Sequence, residues 1–355
     1  MGNESTLYKW LKIGGGIGAA LGVREAIGRA REVDLSGQVA LVTGSSSGLG
    51  LLMARELAGE GCRLVICARS EPELEQAGRD LESRGAEVLA VRCDVADKDD
   101  VQRMIDAAVD AFGGIDLLIC NAGVIQVGQF QSMELKDFHE AMDIMYFGTL
   151  YPILAALPRM RAKGRGRIAL VTSIGGKISV PYLLPYNAAK FAAVGLGEGL
   201  RAELGDEGII VTTIIPGLMR TGSYLNAKFS GEVSGRESAY RLFSALSSVP
   251  LLTGNAESAA RAYIRAIKRG DAYVMYPPQY NLIARIHGVA PATTMAAMGL
   301  ADRLMPKTGG DTGTVPGASI DSRLGSGGIW RTLTTLGRKA ASRMQPEPGP
   351  PDSGS

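Results

Sequence analysis

Short apolar runs alternate with longer segments of helical periodicity along most of the chain. The runs are uninterrupted, as in strands that are buried on both faces, and the segments between them are long enough to cover a sheet. We therefore predict a single α/β domain over residues 35–275, built on a doubly wound parallel sheet. The predicted strands are 39–43, 63–67, 87–91, 117–120, 167–171, 210–215 and 272–275, and the main predicted helices are 49–60, 72–84, 99–112, 134–160 and 186–204.

The pattern weakens on both sides of this domain. Residues 1–34 contain an apolar, glycine-rich run at 13–23 with basic residues on both flanks, which is too short to span a bilayer as a helix. Three interpretations stay open: a helix packed on the domain, a membrane-surface anchor through residues 1–30, and a secretory signal. Residues 276–305 predict a helical appendage, and the glycine- and proline-rich residues 306–355 predict a mostly disordered tail.

Composition excludes several classes of protein. The 355 residues are 46% apolar and 21% charged, which is typical of a folded soluble domain. A net charge of +2 lacks the basic excess of a nucleic-acid-binding protein. The four cysteines form no CxxC pair and there are two histidines, so we expect neither disulfides nor a metal site. A cytoplasmic location fits this cysteine usage, with the membrane surface as an alternative.

A glycine-rich turn joins the first predicted strand to the first predicted helix. It reads TGSSSGLG from Thr43 to Gly50. In such a turn, backbone N–H groups can approach a pyrophosphate at the positive end of the helix. The spacing of Gly44, Ser46 and Gly48 also satisfies the G-x-S-x-G pattern of a hydrolase nucleophile. A serine hydrolase is therefore an alternative from a different class.

Further motifs follow in order along the chain. They are Asp94–Val95 after the third predicted strand, Asn121–Ala122–Gly123 after the fourth, Ser173 thirteen residues before Tyr186, Tyr186-x-x-x-Lys190, and Pro216–Gly217 with Thr221 after the sixth. Together with the glycine turn, these motifs resemble those of the short-chain dehydrogenase/reductase family over 35–275. The resemblance implies a Rossmann-type fold and an oxidoreductase that interconverts a carbonyl and a secondary alcohol.

The resemblance also implies a set of site residues. The catalytic residues would be Ser173, Tyr186 and Lys190. The cofactor-binding residues would be Gly44, Ser46, Ser47, Gly48, Leu49, Gly50, Arg69, Ser70, Asp94, Val95, Asn121, Ala122, Gly123, Tyr186, Lys190, Pro216, Gly217 and Thr221.

The end of the second predicted strand indicates which nicotinamide cofactor is used. Ala68 stands where an NAD enzyme of this fold needs an acidic residue for the ribose 2′-hydroxyl. Arg69 and Ser70 follow, and a guanidinium favours a 2′-phosphate. We therefore expect NADP(H), although Ser47 stands where family members often have a second cation.

Tyr186 and Lys190 are the residue types that proton transfer to an alkoxide requires. A spacing of four places both on one face of a helix. A nearby ammonium lowers the pKa of a phenol from its ordinary value of about 10, so we expect Tyr186 to act as general acid and base. By the resemblance, Ser173 would orient the substrate oxygen and Lys190 would also hold the nicotinamide ribose.

Met145 departs from the family pattern. It stands where the family has an asparagine that helps to hold a water joining the lysine to a proton relay. Methionine donates and accepts hydrogen bonds poorly. Either the relay is rerouted or turnover is slow, and the second case includes a cofactor-binding protein with weak or no turnover.

The segment after Thr221 is the expected substrate lid, and it is rich in apolar side chains. These residues predict a hydrophobic or lipid-like substrate, or equally packing against the body of the domain. The resemblance further implies a homo-oligomer that pairs through the helices at 134–160 and 186–204.

Overall fold

The computed structural model describes residue 28 and residues 30–249, 252–324, 334–335, 337–339 and 342–344. The strands are β1 (Val39–Thr43), β2 (Arg63–Ala68), β3 (Val88–Arg92), β4 (Leu117–Cys120), β5 (Gln126–Val127), β6 (Gly166–Val171), β7 (Ile209–Pro216), β8 (Met219–Arg220), β9 (Lys228–Ser230), β10 (Gly254–Asn255), β11 (Tyr273–Tyr276) and β12 (Thr314–Pro316). The helices are α1 (Gly48–Gly59), α2 (Glu71–Ser83), α3 (Lys98–Phe112), α4 (Leu135–Met142), α5 (Gly148–Lys163), α6 (Leu184–Glu203), α7 (Val233–Leu246), α8 (Ala256–Arg269), α9 (Gln279–Val289), α10 (Pro291–Leu304) and α11 (Gly317–Arg323).

Seven parallel strands form the central sheet in the order β11–β7–β6–β4–β1–β2–β3, which confirms the predicted fold class. Every residue of β1 and β4 is buried, as uninterrupted apolar runs require. Alternate side chains of β1 enter different cores: Ala40 and Val42 pack with α1 and α8, whereas Val39 and Leu41 pack with α3 and α5. The sheet is therefore covered by helices on both faces.

The strand order reverses at β1, which lies between β2 and β4. In doubly wound sheets, ligands bind in the crevice beyond the carboxyl ends of the strands at such a point. The turns that follow β1 and β4 both lie at this crevice. The topology thus places the glycine-rich turn and the Asn121–Gly123 turn side by side.

The predicted long helix at 134–160 is interrupted. Helices α4 and α5 are joined by a π-helical turn at Asp143–Phe147. In the described part of the chain, Leu135–Lys163 is the one stretch long and apolar enough to span a membrane, and half of its most apolar window is buried inside the domain. A core helix of the sheet explains that composition.

Within residues 306–355, where a mostly disordered tail is predicted, the structure describes a strand and a helix between residues 314 and 323. Strand β12 pairs antiparallel with β9 and extends a small sheet that also contains β5. Glycine permits this packing: a Cβ on Gly317 would lie 2.0 Å from the carbonyl oxygen of Tyr224. The glycines that suggested disorder instead allow the backbone to approach the lid.

The described carboxy-terminal residues reach the first helix. Met344 is buried in the core that contains α1, and its carbonyl accepts a 2.9 Å hydrogen bond from the Gly48 N–H. Arg55 of α1 also donates to the Arg343 carbonyl. Of the amino-terminal segment predicted at 1–34, with its possible anchor at 1–30, residues 1–27 and 29 lie outside the described residues.

A buried aspartate joins α2 to α1, the helix that follows the glycine-rich turn. Asp80 of α2 accepts hydrogen bonds from Arg55 of α1 at 2.7 Å and from Arg84 at 3.1 Å. Burial raises the pKa of Asp80, but the two guanidinium groups outweigh burial and hold the pKa below its usual value.

We expect Asp80→Asn to lower the free energy of unfolding by about 2 kcal/mol near neutral pH, because two cations lose a buried anionic partner. The stabilisation is complete above the unfolded-state pKa of about 3.9 and is lost as the pH falls through the lower folded-state pKa. Urea unfolding should therefore show the two proteins converging in acid. The exposed Asp110 supplies the control, Asp110→Asn, which should unfold like the wild type.

Candidate active site

The glycine-rich turn is shaped by positions that admit no side chain. Gly44 and Gly48 have φ values of +63° and +61°, a region that favours glycine. A Cβ on Gly50 would lie 2.2 Å from the Gly44 carbonyl oxygen. Ser47 is the N-cap of α1 and has extended backbone, so the chain enters the helix directly from the turn.

Asn121 fastens this turn to the one that follows β4. Its side-chain amide donates to the Thr43 and Gly44 carbonyls at 3.1 and 2.9 Å. In return, the Thr43 hydroxyl accepts from the backbone N–H groups of Asn121 and Ala122. Two predicted cofactor-binding segments are therefore held as one unit.

Ser46 lacks the surroundings of a hydrolase nucleophile. Its hydroxyl is 3.4 Å from a carboxylate oxygen of Glu73. His139 is exposed on α4, and His287 is hydrogen-bonded within the α9–α10 pair. Within the described residues no histidine contacts Ser46, so the alternative based on Gly44, Ser46 and Gly48 lacks its base.

Arg69 and Ser70 end β2 and begin α2. Arg69 is exposed, and its guanidinium has no hydrogen bond or ion pair within the described part of the chain. After β3, an Asp94 carboxylate oxygen accepts from the Ala96 N–H, and Val95 is buried. These residues line the β2–β3 side of the crevice, where the resemblance places the adenosine half of the cofactor.

The turn after β7 lies on the other side of the crevice. The Gly217 N–H donates to the Tyr276 carbonyl at 2.9 Å, which continues the β7–β11 pairing past Pro216. A Cβ on Gly217 would lie 2.2 Å from the Tyr280 ring. The Thr221 hydroxyl accepts a 3.3 Å hydrogen bond from the Ser223 N–H.

Ser173, Tyr186 and Lys190 come together at the ends of β6 and α6. The Ser173 hydroxyl accepts from the Gly175 N–H at 3.0 Å and caps a short 3₁₀ turn. Tyr186 and Lys190 lie one turn apart on α6. Lys190 Nζ donates to the Val171 carbonyl at 2.9 Å and is 5.8 Å from the centroid of the Tyr186 ring.

Burial dominates the electrostatics of this cluster. It lowers the pKa of Lys190 to about 8 and raises the pKa of Tyr186, although a hydrogen bond with Ser173 opposes the latter shift. The expectation that the ammonium brings the tyrosine pKa down is thus not met by the protein alone. The physical reason is burial, which disfavours the charged phenolate, while Nζ is hydrogen-bonded to the Val171 carbonyl.

Met145 lies beside this cluster, in the π-helical turn. A Cβ on Gly123 would be 3.7 Å from Lys190 Nζ and 3.8 Å from the Met145 sulfur, so both side chains border the same glycine. The Met145 carbonyl accepts a 2.9 Å hydrogen bond from the Thr149 hydroxyl. This apolar side chain helps to exclude water from Lys190.

Sequence reasoning missed three features of the site. The contact of Glu73 with Ser46, the Met344 carbonyl on Gly48, and the π-helical turn were not predicted. The first two join positions that are far apart in the chain, and a π-helical turn leaves no mark in apolar periodicity. No cluster of three metal-ligating side chains occurs among the residues that the structure describes.

The predicted lid forms a small core of its own. Tyr224, Phe229 and Tyr240 are fully buried, the Tyr240 ring is in edge-to-face contact with each of the other two, and Ile320 of α11 packs with them. For these three aromatic residues, packing explains the composition. Leu225 and Phe243 are partly buried at the edge of the cluster.

These features define a dinucleotide-binding α/β protein. Residues 38–228 match the profile of the short chain dehydrogenase family. The chain therefore belongs to the short-chain dehydrogenase/reductase family, whose members use a nicotinamide cofactor.

Two curated relatives show how similar this chain is to known proteins. It is 33% identical over 255 residues to 11-beta-hydroxysteroid dehydrogenase A of Sesamum indicum, covering 70% of this chain and 71% of the relative. It is 38% identical over 188 residues to granaticin polyketide synthase putative ketoacyl reductase 1 of Streptomyces violaceoruber, covering 52% and 68%.

Two solved structures of the family are also similar to this chain. A Burkholderia phymatum short chain dehydrogenase/reductase in complex with NAD is 27% identical with a TM-score of 0.68, covering 74% of this chain and 96% of that chain. A single-residue variant of actinorhodin polyketide ketoreductase with NADPH is 28% identical with a TM-score of 0.60, covering 68% and 95%.

The close approach at Gly50 yields a direct test. We expect Gly50→Ala to weaken nucleotide binding by about tenfold or more, because a methyl group would push the turn away from Asn121. Titration of NADPH and NADH by fluorescence measures the effect. Gly59→Ala, in the same helix and with no atom within 4 Å of the added Cβ, is the matched control. Unchanged affinity in Gly50→Ala would show that the turn does not bind the nucleotide.

Proposed function

We propose that the protein is an NADP(H)-dependent oxidoreductase that interconverts a carbonyl and a secondary alcohol on a hydrophobic substrate. The observation that carries this proposal is the cluster beside Gly123, in which Ser173 and Lys190 are buried and Tyr186 is half-buried. Family membership supports an oxidoreductase acting on hydroxyl or carbonyl groups. The residues of the cluster supply the acid, the orienting hydroxyl and the cation that this reaction needs.

In the proposed mechanism the bound nicotinamide supplies or accepts the hydride. Tyr186 gives its phenolic proton to the substrate oxygen in reduction and takes it back in oxidation. Ser173 donates a hydrogen bond that orients and polarises the same oxygen. Lys190, protonated below its lowered pKa of about 8, favours the phenolate form of Tyr186 while the proton is away.

Met145 leaves this cluster without the asparagine side chain of the family. In place of the contact that the family's asparagine would make near the lysine, a backbone carbonyl serves here, since the Val171 carbonyl already accepts from Lys190. A cofactor-binding protein with little turnover is the second candidate, and Met145 is the observation that favours it. Replacement of Tyr186 distinguishes the two.

Tyr186→Phe should abolish ketone-dependent oxidation of NADPH and leave NADPH affinity nearly unchanged, because only the proton donor is lost. Turnover is followed by NADPH absorbance with a panel of hydrophobic ketones, and affinity by fluorescence. Tyr182→Phe removes a neighbouring phenol, whose hydroxyl donates to the Pro306 carbonyl, and should keep its turnover. Equal turnover in wild type and Tyr186→Phe would remove Tyr186 from the mechanism. Tight NADPH binding by a wild type inactive on every ketone would favour the second candidate.

Two observations support NADP(H) over NAD(H). Ala68 provides no carboxylate at the end of β2, and the guanidinium of Arg69 is exposed and unpaired within the described chain. The arginine is therefore available to a 2′-phosphate. Glu73 lies on the same side, at Ser46, but its side chain is exposed and screened by solvent.

Reversing the charge of Arg69 tests the cofactor assignment. Arg69→Glu should raise the Kd for NADPH by about tenfold or more and leave the Kd for NADH the same or lower, since only NADPH carries the 2′-phosphate. Arg79→Glu makes the same charge change on the exposed face of α2 and should leave both affinities unchanged. An equal rise in the Kd values for NADPH and NADH in Arg69→Glu would contradict a role of Arg69 in cofactor specificity.

The proposed substrate class is a hydrophobic ketone or alcohol, alicyclic or lipid-like. The relatives named as hydroxysteroid dehydrogenase and ketoacyl reductase support it, as do Leu225 and Phe243 at the edge of the lid. We also propose a homo-oligomer that pairs through α5 and α6, where Leu154 and Phe191 are exposed. A cytoplasmic location and a membrane contact through residues 1–30 complete the proposal.

A further inference from the structure

Helices α9 and α10 form a hairpin that is attached to the domain mainly at its base. At the start of α9, the Tyr280 ring packs on Gly217 and its hydroxyl donates to the Leu252 carbonyl. After α10, the Pro306 carbonyl accepts from Tyr182, and Thr308 is fully buried. Between these two anchor points, the His287 ring and the Thr294 hydroxyl are in contact and join the helices to each other.

The surface of this hairpin is apolar and exposed. No residue of α10 is buried, and Tyr280 is the one buried residue of α9. The exposed large apolar side chains include Val289 at the tip, which is 89% exposed, and Leu304 at 81%; the others are Leu282, Ile283, Ile286, Met295 and Leu300. A cluster of exposed large apolar side chains on one element of a protein surface marks an interaction site.

Most charged residues of the hairpin lie at its base. Arg285 is the one formally charged residue between positions 279 and 301, and the tip around Val289 has none. Asp302, Arg303 and Lys307 lie together at the base, where Lys307 pairs with Asp302 at 3.6 Å. An uncharged tip above a charged base matches the change from acyl chains to headgroups across one leaflet.

The lengths of the two helices are close to the thickness of the hydrocarbon region of one leaflet. The 11 residues of α9 and 14 of α10 correspond to lengths of about 17 and 21 Å, and half of a bilayer's hydrocarbon core is about 15 Å. Neither helix is long enough to span the bilayer. Because α10 is partly covered mainly on the face that carries Thr294, Met298 and Ala301, a single flat protein surface would leave much of its remaining apolar surface in water, whereas lipid surrounds it.

We propose that the α9–α10 hairpin inserts into one leaflet of a lipid bilayer and holds the Gly217 side of the crevice at the membrane surface. Tyr280 couples the two, since its ring lies on Gly217 at the end of β7. This inference does not rest on the proposed activity, because membrane binding is measured without a substrate.

The hairpin is distinct from the anchor proposed at residues 1–30. The N–H of Val33 donates to the carbonyl of Lys268, near the carboxyl end of α8, which is where the strands of the sheet begin. The hairpin follows the opposite, carboxyl end of β11. The two proposals therefore predict different effects of deletion and substitution.

The test is co-sedimentation of the full chain with vesicles of phosphatidylcholine, alone or mixed with phosphatidylglycerol. Leu282→Glu with Val289→Glu should lower the bound fraction by about fivefold or more, because two carboxylates would enter the acyl region. The matched control is Phe130→Glu with Val233→Glu, which adds the same charge at side chains that are 69% and 55% exposed elsewhere and should bind like the wild type. NADPH affinity, unchanged in both variants, reports that each is folded.

Several outcomes would overturn the proposal. One is a wild type that binds neither vesicle; another is equal binding by the hairpin variant. Binding lost on deleting residues 2–27 but not in the hairpin variant would assign the membrane contact to the amino-terminal segment. A hairpin variant that changes only the mass measured by light scattering would make the hairpin a contact between two copies of this chain.

Discussion

The contact between the turn after β1 and the turn after β4 is the constraint on which the site depends. Asn121 donates to two carbonyls of the glycine-rich turn, and Gly50 approaches the Gly44 carbonyl more closely than any side chain would allow. This packing sets where α1 begins and so where its positive end points. Through the next residues of the same turn it also places Gly123 against Lys190. The glycine-rich turn and the glycine that borders the proposed catalytic cluster are thereby positioned by one set of hydrogen bonds.

The cluster of Ser173, Tyr186 and Lys190 shows how burial and charge act against each other. Lys190 is almost fully buried with one carbonyl partner, so its ammonium is less stable than in water and its pKa falls to about 8. The same burial raises the pKa of Tyr186. Burial favours the neutral form of each group, so the Tyr186 phenol keeps its proton, as the proposed role of general acid in reduction requires. Met145 strengthens this effect because its apolar side chain borders the same space as Lys190.

The residues beyond the sheet extend the domain in two different ways. Residues 306–324 add β12 and α11 to the lid, and Met344 returns to α1, so the carboxy-terminal part contacts both the lid and the glycine-rich turn. The α9–α10 hairpin does the opposite, since it is anchored at its base and leaves its apolar surface exposed. Both features border the crevice, through Met344 at Gly48 and Tyr280 at Gly217.

Apolar periodicity by itself determined the seven strands of the central sheet and their parallel arrangement, because buried strands and covering helices impose repeating patterns on neighbouring residues. The motifs around Asn121, Ser173, Tyr186 and Lys190 could be found because each is local in the chain. The tertiary structure decided the rest. It placed Met344 on Gly48, packed Gly317 against Tyr224, closed the lid aromatics on one another and left the hairpin uncovered. These results depend on contacts between distant segments and on the space around each residue, and no local pattern of residues encodes either.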